Sequence, residues 1–163
     1  MRNTIILVLS LAALPLSLFG RLGETQQELI ARFGQPVSTG NEITITQGKF
    51  ITFGSKITFR QGDWSIDCVL IEGRCARVVY FKKGEWTEDQ FRTVLTSNSQ
   101  GEQWTDVSNE IIRKLKRKWH RGDGASAIWT MGAAMTVTHP AYETAKQRAE
   151  AKAKADASQI PKI

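Results

Sequence analysis

Between Glu42 and Lys82, short stretches rich in β-branched and aromatic residues alternate with very short breaks, and this spacing leaves few folds open. The stretches fall at 43–46, 50–53, 56–60, 64–71 and 74–82; the breaks are Gln47-Gly48, Gly54-Ser55, Gln61-Gly62-Asp63 and Glu72-Gly73. Breaks of that length cannot hold a crossover helix, so consecutive strands must run antiparallel, as a meander. With Gly54-Ser55 as a tight turn, Phe50 pairs with Phe59 and Thr52 with Ile57. With Glu72-Gly73 as a two-residue turn, Leu70 faces Cys75 and Cys68 faces Arg77. Alternation then puts Trp64, Ile66, Cys68 and Leu70 on the core face together with Cys75, Val79 and Phe81.

Helical signals flank the meander. Thr25 and Glu28 form a capping box, Leu29, Ile30 and Phe33 follow at helical spacing, and Gly34 with Pro36 ends that helix. Thr87 and Gln90 form a second box, with Trp86 placed to staple onto Phe91, and Phe91, Val94 and Leu95 as the apolar side before a break at 98–101. Asp106 is the expected cap of a third helix, with Val107, Ile111, Leu115 and Trp119 four apart on one side. A final hairpin is expected over 127–131 and 133–138, and Pro140 opens an Ala- and Lys-rich helix. Beyond Tyr142 that helix offers only alanine as apolar surface, so it is expected to dock at its start and fray towards Ile163. The fold class is therefore α+β: an antiparallel β-meander with helices packed on one face and a C-terminal helical tail. The chain divides into a signal segment at 1–20, the α+β domain at 21–139 and the tail at 140–163.

Arg2 precedes an uncharged run over 5–19 that is shorter than the roughly 20 residues of a spanning helix and is interrupted by Pro15. That is the layout of a secretion signal, and it predicts a periplasmic or extracellular protein. Leu18-Phe19-Gly20 offers a small residue only at Gly20, so an uncleaved N-terminal anchor is the alternative, and no cysteine follows that could carry a lipid. The net charge is +6, from 22 Lys and Arg against 16 Asp and Glu. A basic chain favours polyanions; for an exported one these are anionic lipid, cell-wall polymer or an acidic envelope protein rather than nucleic acid. Cys68 and Cys75, diagonal neighbours in the expected hairpin, leave both a disulfide and two buried thiols open.

Catalytic signals are weak. His120 and His139 have no partner at metal-ligand spacing, and neither a serine elbow, a Cys-His pair nor a phosphate-cradling glycine loop is present, so no enzyme activity, metal or cofactor is expected. Arg121-Gly122-Asp123 matches an adhesion tripeptide but reads better as a turn. The basic cluster Arg113, Lys114, Lys116, Arg117, Lys118 and Arg121 is the most functional-looking feature, and with Trp119 beside it the expected helix resembles a segment lying on an anionic membrane. Lys114, Arg117, Lys118 and Trp119 are the expected contact residues. The competing classes are a proteinaceous inhibitor of a secreted hydrolase and a small hydrolase with an unrecognised site.

The opening Gly23-Glu-Thr-Gln-Gln-Glu-Leu-Ile-Ala-Arg-Phe-Gly-Gln-Pro36 resembles the start of small exported bacterial proteins, including the BamE/SmpA outer-membrane assembly lipoproteins. It is also similar to secreted proteins with a strand end like Val79-Tyr80-Phe81-Lys82 and a stretch like Leu95-Thr-Ser-Asn98-Ser-Gln-Gly101-Glu-Gln-Trp104. The resemblance implies a sheet-and-helix scaffold that works by surface contact without catalysis. The acylated cysteine of the lipoproteins has no counterpart in this chain.

Overall fold

Gln47 and Gly48 both adopt left-handed backbone (φ 51° and 74°), as do Glu72 and Gly73 (φ 52° and 80°), so both breaks form tight hairpin turns of the type that matches strand twist. They join β1 (Ser38–Thr46) to β2 (Lys49–Gln61) and β3 (Trp64–Ile71) to β4 (Arg74–Lys82). These come from a computed structural model that describes residues 21–158; the expected signal segment and the last residues of the tail lie outside the described residues.

The expected turn at Gly54-Ser55 does not form. β2 runs straight through it, and Phe50 pairs with Ile45 and Thr52 with Ile43 instead of with Phe59 and Ile57. A Cβ at Gly54 would lie 2.9 Å from the Leu70 carbonyl oxygen and 2.7 Å from Ile71 Cδ1, so this glycine permits close approach of β3 rather than chain reversal. Leu70 does face Cys75, but a bulge follows: Cys68 pairs with Val78, not Arg77. The extra residue shifts the phase of β4 by one. Val78 and Tyr80 therefore fill the core, and Val79 and Phe81 turn to the other face.

The third helix is also corrected. Residues 104–121 form β5 (Trp104–Asp106), one turn of 3₁₀ helix (Glu110–Ile112) and β6 (Lys116–Arg121), followed by β7 (Ser126–Thr130) and β8 (Met135–Thr138). A spacing of four suits a helix, but it is also even, so a strand aligns the same residues on one face. Pairing with β7 decides the matter: Trp119 lies opposite Ala127 and is only 5% exposed. The eight strands make one antiparallel sheet in the order β1-β2-β3-β4-β8-β7-β6-β5, two meanders joined along β4 and β8.

Helices α1 (Gln26–Phe33) and α2 (Glu88–Ser97) pack on one face, and both capping boxes form as the sequence predicts. Phe33 meets Phe59 at 5.0 Å between ring centroids; Phe91 stacks on Trp86 at 5.3 Å and meets Trp129 edge-on at 5.2 Å. Cys68 and Cys75 are free, buried thiols within this core. A hydrogen bond to Cys75, followed by burial, pushes the Cys68 thiol well above the usual range.

The tail helix α3 (Pro140–Ser158) lies against the opposite face and is seated well beyond its start. The Tyr142 hydroxyl donates to Glu42 and accepts from Arg77, each at 2.6 Å, and its ring meets Phe53 edge-on. Burial, with the Glu42 carboxylate next, pushes the Tyr142 hydroxyl up to about 12. Further along, the Thr44 hydroxyl donates to Glu150 at 2.6 Å, which explains why an alanine-faced helix stays on the sheet: polar contacts supply what its apolar side lacks.

Asn98 is wholly buried at the end of α2. Its Oδ1 accepts from the Leu22 amide at 3.0 Å, and its Nδ2 donates to the Tyr80 hydroxyl and the Val94 carbonyl, each at 2.9 Å. Leaving these partners unmatched in Asn98→Leu should cost about 3 kcal/mol, read as a lower urea midpoint. A loss below about 1 kcal/mol would show that the amide is not the tie described here.

Candidate functional site

The basic cluster separates into tethered arginines and free lysines because it lies on a strand and a structured loop. Arg117 points to the core side, where its guanidinium binds Glu88 on α2 (2.6 and 3.0 Å) and lies 4.7 Å over the Phe91 ring. Its hydrogen bonds to Glu88 lower that carboxyl and raise the arginine. Arg113 binds Asp106 at 2.5 Å and Glu110 at 3.0 Å. Burial alone would raise the Asp106 carboxyl, but hydrogen bonds from Ser108 and the Arg113 charge outweigh it and lower the group. Arg121 is buried and binds Asp123, Gln100 and the Asn98 carbonyl, so Arg121-Gly122-Asp123 is an internal turn and presents no arginine to a partner.

Of the expected contact residues, the structure thus leaves Lys114 exposed and Lys118 half-buried on the outward face, and turns Arg117 and Trp119 to the core side. Strand parity is the cause: positions 117, 119 and 121 face inwards while 116 and 118 face outwards. Among the described residues Lys114, Lys116 and Lys118 make no ion pair.

The loop between β5 and β6 adds a feature that periodicity hid. It is firmly held: Asn109 Oδ1 accepts from the Ile111 amide at 2.9 Å, the Val107 amide donates to the Lys118 carbonyl at 2.9 Å, and the Met131 amide to the Leu115 carbonyl at 2.9 Å. Yet it turns apolar side chains outwards. Ile111 is 93% exposed, and Val107, Ile112, Leu115 and Met131 are exposed too. Lys114 and Met131 share a recess of about 380 Å³ with Trp86 and Trp129. One end of the sheet therefore combines apolar side chains, indole edges and unpaired lysines. The sequence signal was Ile111-Ile112 and Leu115 set among basic residues.

The His120 and His139 side chains lie near the other end of β6 and β8. His139 Nδ1 accepts from the Ala141 amide at 3.2 Å, and its Nε2 is 3.9 Å from Asp123. Among the described residues no group of His, Cys, Asp and Glu gathers closely enough to hold a metal ion.

No protein-family model and no curated protein matches the chain. Two solved structures resemble it in backbone path. A cysteine-rich secretory protein from Staphylococcus aureus has a TM-score of 0.46 and 9% identity over 73% of this chain and 44% of that one. An extracellular protein containing an SCP domain from Bacillus anthracis has a TM-score of 0.43 and 10% identity over 91% of this chain and 52% of that one. The chain spans about half the length of each.

The Asp123 carboxyl is lowered from 3.8 to about 2, first by the hydrogen bond from Arg121. Its contribution is therefore present above about pH 4 and lost as the pH falls towards 2. Asp123→Asn should be less stable than the parent by about 1 kcal/mol at pH 6, after discounting for solvent screening, and no different below pH 2. Urea unfolding at the two pH values checks this; an equal deficit at both would exclude the ion pair as its source.

Proposed function

We propose that this is an exported, non-catalytic binding module of the bacterial envelope that docks on an anionic lipid surface through the 107–115 loop and the β7–β8 turn. The observation that carries the reading is the exposure of Ile111, Ile112, Leu115 and Met131 beside the unpaired Lys114, Lys116 and Lys118. A hydrated cell-wall polymer offers nothing to exposed isoleucine and leucine, whereas the headgroup boundary of a bilayer takes up apolar tips and attracts the lysines together. Burying one such side chain is worth about 1.5–3 kcal/mol. Each lysine near an anionic surface adds about 1 kcal/mol. Neither contribution suffices alone against the cost of immobilising the protein, and the two together resemble the two-signal rule for peripheral attachment. The uncharged run at 5–19 supports export, and among the described residues no helix is long and apolar enough to cross a membrane.

Co-sedimentation with vesicles rich in anionic lipid tests the reading. Ile111→Ser with Leu115→Ser, and separately Lys114→Glu with Lys118→Glu, should each weaken binding at least tenfold, with the second loss growing at low salt. Arg117→Lys should bind like the parent. Equal binding by all three variants, or by the parent to uncharged vesicles, would overturn it.

A further inference from the structure

The bulge in β4 has a second product. By turning Val79 and Phe81 away from the core it places them on the sheet face that α3 leaves open, as the floor of a groove of about 460 Å³. Cross-strand pairing fixes the walls. Arg60 lies opposite Ser65, which lies opposite Phe81, while Asp67 lies opposite Val79 in the next row on the same face. Asp63 and Lys83 stand at the rim. Phe81 is 48% exposed.

Two cations and two carboxylates therefore line one groove, and none of the four is ion-paired among the described residues; Asp67 accepts from the Thr58 hydroxyl at 2.8 Å. This is unlike Arg77, Arg113, Arg117 and Arg121, each of which is tied to a carboxylate. Opposite charges held apart around an apolar floor fit a ligand that itself carries both signs. A phosphate monoester bears close to two negative charges at neutral pH, which matches the pair Arg60 and Lys83 better than a singly charged carboxylate does. An ammonium, with its three donors, suits Asp63; Asp67 lies four residues further on, beyond the row of Arg60, Ser65 and Phe81, and its carboxylate accepts from Thr58.

We propose that the groove binds a phosphate bearing a short ammonium arm, with Arg60 and Lys83 on the phosphate, Asp63 on the ammonium, and the connecting methylenes against Phe81. Free phosphoethanolamine has this chemistry in full; the headgroup of ethanolamine phospholipids carries the same ammonium arm on a phosphodiester, with one negative charge instead of two. The site uses none of the side chains assigned to lipid docking, so it stands without that reading.

Titration of the exported protein with free phosphoethanolamine, followed by backbone amide NMR, tests it. Saturable shifts should appear at 63–67 and 79–83, and inorganic phosphate or ethanolamine alone should bind at least tenfold more weakly. Arg60→Ala with Lys83→Ala, and separately Asp63→Asn, should remove the shifts while the rest of the spectrum stays unchanged, and Ile111→Ser with Leu115→Ser should keep them. Tighter binding to ethanolamine phospholipid vesicles than to the free compound assigns the lipid as the source; equal binding assigns the soluble compound. No saturable shifts, equal binding of phosphate alone, or tighter binding of a zwitterionic dipeptide at the same amides would overturn the proposal.

Discussion

One buried amide holds the two halves of this sheet in place. Asn98 bonds through its side chain to the segment before α1, to Tyr80 on β4 and to the last turn of α2, while its backbone carbonyl accepts from Arg121 on β6. A polar group with no access to water must find every partner within the fold, so these four regions are fixed together or not at all. Arg121 follows from it: a buried guanidinium is tolerated because the Asn98 carbonyl, Gln100 and Asp123 surround it and the Trp104 ring lies beneath it at 5.3 Å. The left-handed residues Gln100 and Gly101 then turn the chain into β5. Where the 107–115 loop stands relative to the first meander depends on this chain of contacts.

Much of the fold was legible in local chemistry. The turns at Gln47-Gly48 and Glu72-Gly73 and the boxes at Thr25 and Thr87 need only neighbouring residues to work, and they appear where the sequence places them. The failures share a different cause. Gly54 looks like turn punctuation, but the requirement it meets is the approach of Ile71 and the Leu70 carbonyl, which belong to another strand. The bulge after Cys75 is equally silent in sequence, because the extra residue is defined only against its partner on β3. In the segment 107–119 a spacing of four is common to helix and strand, so periodicity does not separate them.

The candidate surface was half legible for the same reason. Lysines at 114 and 118 are visible as charge, but parity along β6 decides that Arg117 and Trp119 turn inwards to Glu88 and Phe91. Exposure of Ile111 and Leu115 could not be settled from sequence, since an amphipathic stripe serves equally to pack on a sheet or to lie on a membrane. The opening Gly23 to Pro36 proves to be a structural device: the Gly23 amide donates to the Cys75 carbonyl at 2.7 Å, Leu29 and Phe33 are buried, and Gly34 ends the helix.

The central claim is that the loop-and-turn end of the sheet is the face that meets anionic lipid. Hydrogen exchange of the protein with and without anionic vesicles tests it most directly, because it reports every segment at once. Slowed exchange confined to 107–116 and 130–133 is the expected result. Protection along α3 or the β1–β2 hairpin instead, or no change anywhere, would contradict it.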